Sequence, residues 1–131
     1  EGDLTNQAYF FIAESLFALE EWDEAIDTYS IFISSNTESE LIGKAYFNQG
    51  QAYASVEKWK DASESYLSAF SNSQEDKIAP IALYHLGLSM IKINTDNKQE
   101  ACQILNQVGI RYPDAPIVSI ANNQMQILEC S

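Results

Sequence analysis

A chain of 131 residues, 46% hydrophobic and 20% charged, fits one globular domain able to bury roughly two thirds of its unfolded surface. Nineteen carboxylates against seven Lys/Arg give a formal net charge of −12, and residues 1–43 hold ten of the carboxylates and no Lys or Arg. Such a surface repels phosphate backbones and anionic headgroups, which argues against nucleic acid as a partner. No apolar run approaches the ~20 residues that cross a bilayer, which argues against membrane insertion.

The opening "EGDLTNQ" has neither an initiator Met nor an apolar signal core, and reads as a mature or excised piece. Tyr9, Ile12, Ala13 and Leu16 then fall at i, i+3, i+4 and i+7, which predicts a helix. A second helix is predicted over "EEWDEAIDTY" (Glu20–Tyr29), with Trp22, Ala25, Ile26 and Tyr29 on its apolar side. The polar stretch "SSNTESE" (Ser34–Glu40) predicts a break.

The pattern then starts again. "AYF" at Ala8–Phe10 returns 37 residues later at Ala45–Phe47, and "EKWKDASESY" (Glu57–Tyr66) repeats Glu20–Tyr29 at the same interval. Tyr46, Gln49, Gly50 and Tyr53 keep the helical spacing, with Gln49 a polar exception. After a second break, "SNSQED" (Ser71–Asp76), Pro80 sits where a helix should start, and Leu83, Leu86, Gly87 and Met90 give the spacing a third time. Ala101, Leu105 and Val108 mark the partner helix, with "INTDNK" adding two residues between the two. "YPDAP" (Tyr112–Pro116) ends the unit, with Asp114 as the expected N-cap of a last helix over Ile117–Cys130.

A fixed period of this size is the mark of a solenoid, in which each unit buries its apolar face on the next. Small residues at Ala13, Gly50 and Gly87 on the first helices, and Ala25, Ala62 and Ala101 on the second, would let paired backbones come close. The expectation is one all-α domain over 1–131: hairpins at about 5–38, 40–75 and 77–113, and a capping helix at about 115–130.

Units with this succession of aromatic, Gly/Ala, Ala and aromatic positions resemble tetratricopeptide repeats, which implies a right-handed superhelix whose first helices line a concave groove. A narrower resemblance lies in "KIAPIALYHLGLSM" and "KQEACQILNQVGIRYPDAP". These are similar to the C-terminal domain of the cell-division coordinator family of the bacterial Tol-Pal system (CpoB/YbgF). Lys77, Ala79, Pro80, Ala82, Leu83, Leu86, Gly87 and Ser89 match the first of that family's helices. Glu100, Ala101, Cys102, Leu105, Val108, Tyr112, Pro113 and Pro116 match the second. The resemblance implies a non-enzymatic periplasmic protein that binds TolA or another envelope protein. Its role would be to couple outer-membrane constriction to septal peptidoglycan synthesis, with possible oligomerisation through an N-terminal coiled coil outside this chain. Two other readings stay open: a scaffold of outer-membrane β-barrel assembly, and a purely structural or oligomerisation module.

The expected groove carries a column of rings, Phe10, Phe47 and Tyr84, each 37 residues from the next. Glu14, Gln51 and Leu88 follow one turn on, and Phe17, Ala54 and Ile91 a turn beyond. Buried rings dominate protein interfaces, so this column is the expected peptide anchor, with Glu14 selecting a basic register. The competing expectation for the rings is packing between units. Trp22 and Trp59 are expected to plug the hairpin bases. No catalytic residue, metal site or cofactor is expected: the single histidine, His85, has no second ligand, and no nucleophile elbow or Gly-rich loop is present. For Cys102 and Cys130 a disulfide between the third unit and the terminal helix stays open, but separate thiols are expected, because on straight antiparallel helices Cys130 would lie roughly 8 Å too far along the axis.

Overall fold

A computed structural model describes residues 2–35, 40–73 and 77–131. Asn36–Ser39 and Gln74–Asp76, the cores of the two predicted breaks, lie outside the described residues. Among those described, seven α-helices follow in order: α1 (Gly2–Ala18), α2 (Trp22–Ser35), α3 (Ile42–Ser55), α4 (Trp59–Ser71), α5 (Ile78–Ile93), α6 (Lys98–Arg111) and α7 (Ile117–Ile127). Each packs on the next. In addition α1 touches α3, α3 touches α5 and α5 touches α7, so the first helices of successive units lie side by side.

The small residues do what helix pairing asks of them. Ala13, Ala25, Ala62 and Ala101 are fully buried. A Cβ added at Gly50 would come within 2.9 Å of the Tyr66 ring, and one at Gly87 within 2.9 Å of Leu105 Cδ2. The small positions therefore admit a neighbour's large side chain, in a core that packs with few voids. One cluster joins Phe10, Ala13, Ala25, Tyr29, Phe32, Ile42 and Ala45; a second joins Tyr66, Leu83, Leu86, Leu105, Val108 and Ala121.

The first two hairpins turn on left-handed glutamates. Glu20 and Glu57 both have φ of 61°. The following amides reach back: Glu21 N–H donates to Leu16 C=O (2.9 Å), and Lys58 N–H to Tyr53 C=O (2.9 Å). This 6→1 bond, with the 5→2 bond beside it, ties off the carbonyls at a helix end. The third hairpin closes differently, and its two extra residues explain how. Asn94 is extended, its side chain accepts from Asp96 N–H (2.8 Å), and Thr95–Asn97 form one 3-10 turn. Asn97 Nδ2 donates to Met90 C=O (3.0 Å).

Two expectations are corrected here. Asp114 does not cap α7. The N-cap position is Pro116, without a side-chain cap, and Val118 N–H donates instead to Ala115 C=O (3.1 Å). The fixed φ of proline, −58° here, already starts the helix. Nor are the cysteines separate: Cys102 and Cys130 form a disulfide with Cα atoms 5.7 Å apart. The straight-helix expectation fails because α7 ends at Ile127 and the chain folds back at Glu129, φ 59°, with Cys130 N–H donating to Met125 C=O (2.9 Å). The bridge fastens the terminal helix to α6.

Candidate partner-docking face

The side-by-side first helices carry the expected site residues, and the structure sorts them into two groups. Phe10 is 1% exposed, with its ring 5.3 Å from Phe32 and 6.1 Å from Tyr29 on α2. Tyr84 is buried too, within the second core cluster. The expected column of open rings is therefore corrected. The turn of α1 that brings Ala13 against α2 brings Phe10, three residues earlier, onto the same side. Phe47 is half-buried, 5.8 Å from Tyr66 of its own hairpin and 5.8 Å from His85 of the next.

Glu14, Gln51 and Leu88, and beyond them Phe17, Ala54 and Ile91, are all half-buried. Glu14 Oε2 lies 3.2 Å from Lys44 Nζ, an ion pair joining α1 to α3. The same ammonium sits 5.9 Å from the centre of the Phe10 ring. Gln51 Oε1 accepts the Tyr66 hydroxyl, so its carboxamide is held in place. Phe17 meets the edge of Trp22 at 5.2 Å across the first turn, and Lys92 Nζ stands 5.5 Å from the centre of the Trp59 ring. Trp22 thus closes the base of the first hairpin, whereas the contact at Trp59 reaches the following unit.

Between units, three side chains matter that sequence reasoning left without a role. Gln49, the polar exception, donates from Nε2 to Ile26 C=O (3.0 Å) and Ser30 Oγ (2.8 Å), tying α3 to the preceding α2. Asn48 Nδ2 donates to the Tyr29 hydroxyl at 2.9 Å. One period later, His85 stacks on Tyr66 at 5.3 Å and 22°. A signal was available: these residues stand 19 positions after the tyrosine they meet, in both units. Burial pushes the Tyr29 hydroxyl up to about 12, against the pull of its Asn48 hydrogen bond and with help from Glu14. Burial likewise raises Tyr66 and lowers His85. Both tyrosines and the histidine are therefore neutral packing groups at neutral pH.

No cluster of three or more His, Cys, Asp or Glu able to hold a metal occurs among the described residues. No described helix is long and apolar enough to cross a membrane.

The tetratricopeptide repeat family matches residues 7–39 and 81–115, together just over half of the chain. The chain belongs to the tetratricopeptide repeat family. The two matched segments are the first and third hairpins, and the second follows the first at the same 37-residue offset and carries the same left-handed turn. No curated protein matches the chain. Tetratricopeptide repeats are protein-docking scaffolds, and the face formed by α1, α3 and α5 is where such a scaffold has half-exposed, ordered side chains to offer.

Proposed function

We propose that the chain is a non-enzymatic docking module of the Gram-negative cell envelope, working in the periplasm. It takes a segment of TolA or another envelope protein, and so helps couple outer-membrane constriction to septal peptidoglycan synthesis. The observation that carries the docking reading is the row Glu14, Gln51, Leu88 and Ile91, half-buried on neighbouring helices that are locked together from behind. Held side chains lose little entropy when a partner arrives. Phe17 and Phe47 add apolar surface to the row, while Phe10 and Tyr84 support it from the core.

Two features support the compartment and the family. The resemblance to the Tol-Pal coordinator family runs through α5 and α6, and Cys102 lies inside it. Its bridge to Cys130 suits an oxidising compartment such as the periplasm. Glu14 prefers a basic residue in the partner, which would compete with Lys44 for it.

Calorimetric titration with the soluble periplasmic part of TolA tests the reading, beside a Leu88→Ala/Ile91→Ala variant checked for folding by circular dichroism. Saturable binding by the parent, weakened about tenfold or more in the variant, is expected for lost interface anchors. Absence of binding by the parent would sink the proposal.

A second reading, a structural repeat module without a peptide ligand, is favoured by one observation. Phe11 and Ile12 on α1, and Leu19 in the turn after it, expose apolar side chains. Sedimentation over a concentration series separates the two, because only this second reading requires the chain to self-associate.

A further inference from the structure

Beyond the row just described, the fold builds a cleft of about 760 Å³ where the start of α5, the α6–α7 link and α7 meet. Its walls are apolar: Ile81, Tyr112, Pro116, Ile117 and Ile120 line it. Ile81 stands at the same repeat position as Lys44, and α7 touches α5 as α5 touches α3, so the cleft continues the first-helix face towards the C-terminal end. Two cations also line it, Lys77 and Arg111.

Among the described residues neither Lys77 nor Arg111 pairs with a carboxylate; the one ion pair there joins Lys44 and Glu14. Asp114, also on the lining, pairs with neither. The Arg111 guanidinium is nevertheless ordered. It lies 5.5 Å from the centre of the Phe70 ring, and its Nε donates to Gln107 Oε1 (3.2 Å). A guanidinium held in place beside an apolar hollow has the fork geometry that receives a carboxylate. On the lining itself the two cations outnumber the one carboxylate, Asp114, and at physiological salt the field of the distant acidic hairpin decays over about 8 Å.

We infer that this cleft docks an extended segment of a partner protein in which apolar side chains adjoin an Asp or Glu, the apolar groups entering the cleft and the carboxylate meeting Lys77 and Arg111. The inference rests on the docking reading above and gives the C-terminal end of that face a charge preference opposite to that at Glu14. The hollow suits a few side chains of an extended chain rather than a second copy's helix, which is about 10 Å across.

Selection of phage from a random dodecapeptide library on the immobilised chain tests this without presupposing a partner. Enriched peptides are expected to combine aliphatic or aromatic residues with Asp or Glu. Synthetic versions should lose about tenfold or more in affinity on a Lys77→Glu/Arg111→Gln variant, and similarly on Ile120→Asp, a change at a half-exposed position. Enriched peptides that are basic, peptides that bind both variants as well as the parent, or no enrichment would each overturn the inference. So would self-association of the parent that the Lys77→Glu/Arg111→Gln change abolishes, since the occupant would then be a second copy. Titrating TolA into the same variants keeps the two proposals apart. TolA binding that survives while peptide selection fails removes only the cleft. Acidic–apolar peptides on the cleft without TolA binding remove only the envelope partner.

Discussion

Phe11 on α1 and His85 on α5 stand at equivalent positions two periods apart, and they meet opposite surroundings. Phe11 is 55% exposed, whereas His85 lies stacked on Tyr66 and edge-on to Tyr84. The next position behaves alike in all three units: Ile12 is 50% exposed, while Gln49 and Leu86 are buried. The difference is the neighbour. Ahead of α3 and α5 stand α2 and α4, whose tyrosines receive Asn48 and His85; ahead of α1 no described helix stands. In a stack of units, a residue's environment is set by the adjoining unit as much as by its own helix.

The strongest way to break that contrast is to remove the receiving ring. Tyr66→Ala should cost about 3–5 kcal/mol in urea unfolding, as for other buried aromatics, whereas Phe11→Ala should stay within about 0.5 kcal/mol. Equal costs would mean that the stack between hairpins contributes little. Opening the Cys102–Cys130 bridge acts on the far end. Replacing both cysteines by Ser should lower stability by roughly 2–4 kcal/mol, and amide exchange should quicken first in α7.

A milder perturbation is acid. Burial lowers the His85 pKa below its ordinary 6.5, so on acidification the unfolded chain takes up its proton first. Stability is thus fully present above about 6.5 and falls as pH drops from there through the lowered folded value. As His85 is the sole histidine, His85→Gln should flatten unfolding midpoints across that window, before the carboxylates titrate. Smallest is the turn effect. A non-glycine residue in the left-handed region costs about 1–2 kcal/mol, partly offset by the greater backbone freedom of glycine when unfolded. Glu20→Gly and Glu57→Gly should therefore each stabilise by roughly 0.5–1 kcal/mol, and Glu→Ala at either site should not.

The repeat and the all-helical architecture were legible because a 37-residue period and i, i+3, i+4, i+7 spacing survive in every unit. What escaped was set by rotation about a helix axis and by turns at helix ends. The spacing places Tyr9 and Phe10 side by side without saying which meets α2, so it leaves Phe10 between groove and packing, and Phe10 lies in the core. The disulfide depends on one left-handed residue, Glu129, whose side chain carries no turn signal of the kind glycine gives. Gln49 looked like a flaw in an apolar pattern. It is the donor that bridges two hairpins, a role visible only once Ile26 and Ser30 are seen opposite it. The cleft at Ile81 and Ile117 joins segments more than thirty residues apart, and no local pattern announces it.

The most direct test of the docking face is a nitrogen-15 amide-shift titration of the whole chain with the soluble periplasmic part of TolA. Saturable shifts are expected along α1, α3 and α5, centred on Glu14, Gln51, Leu88 and Ile91, with α2 and α4 little changed. Shifts confined to α2, α4 and α6, or no saturable shift at all, would contradict it.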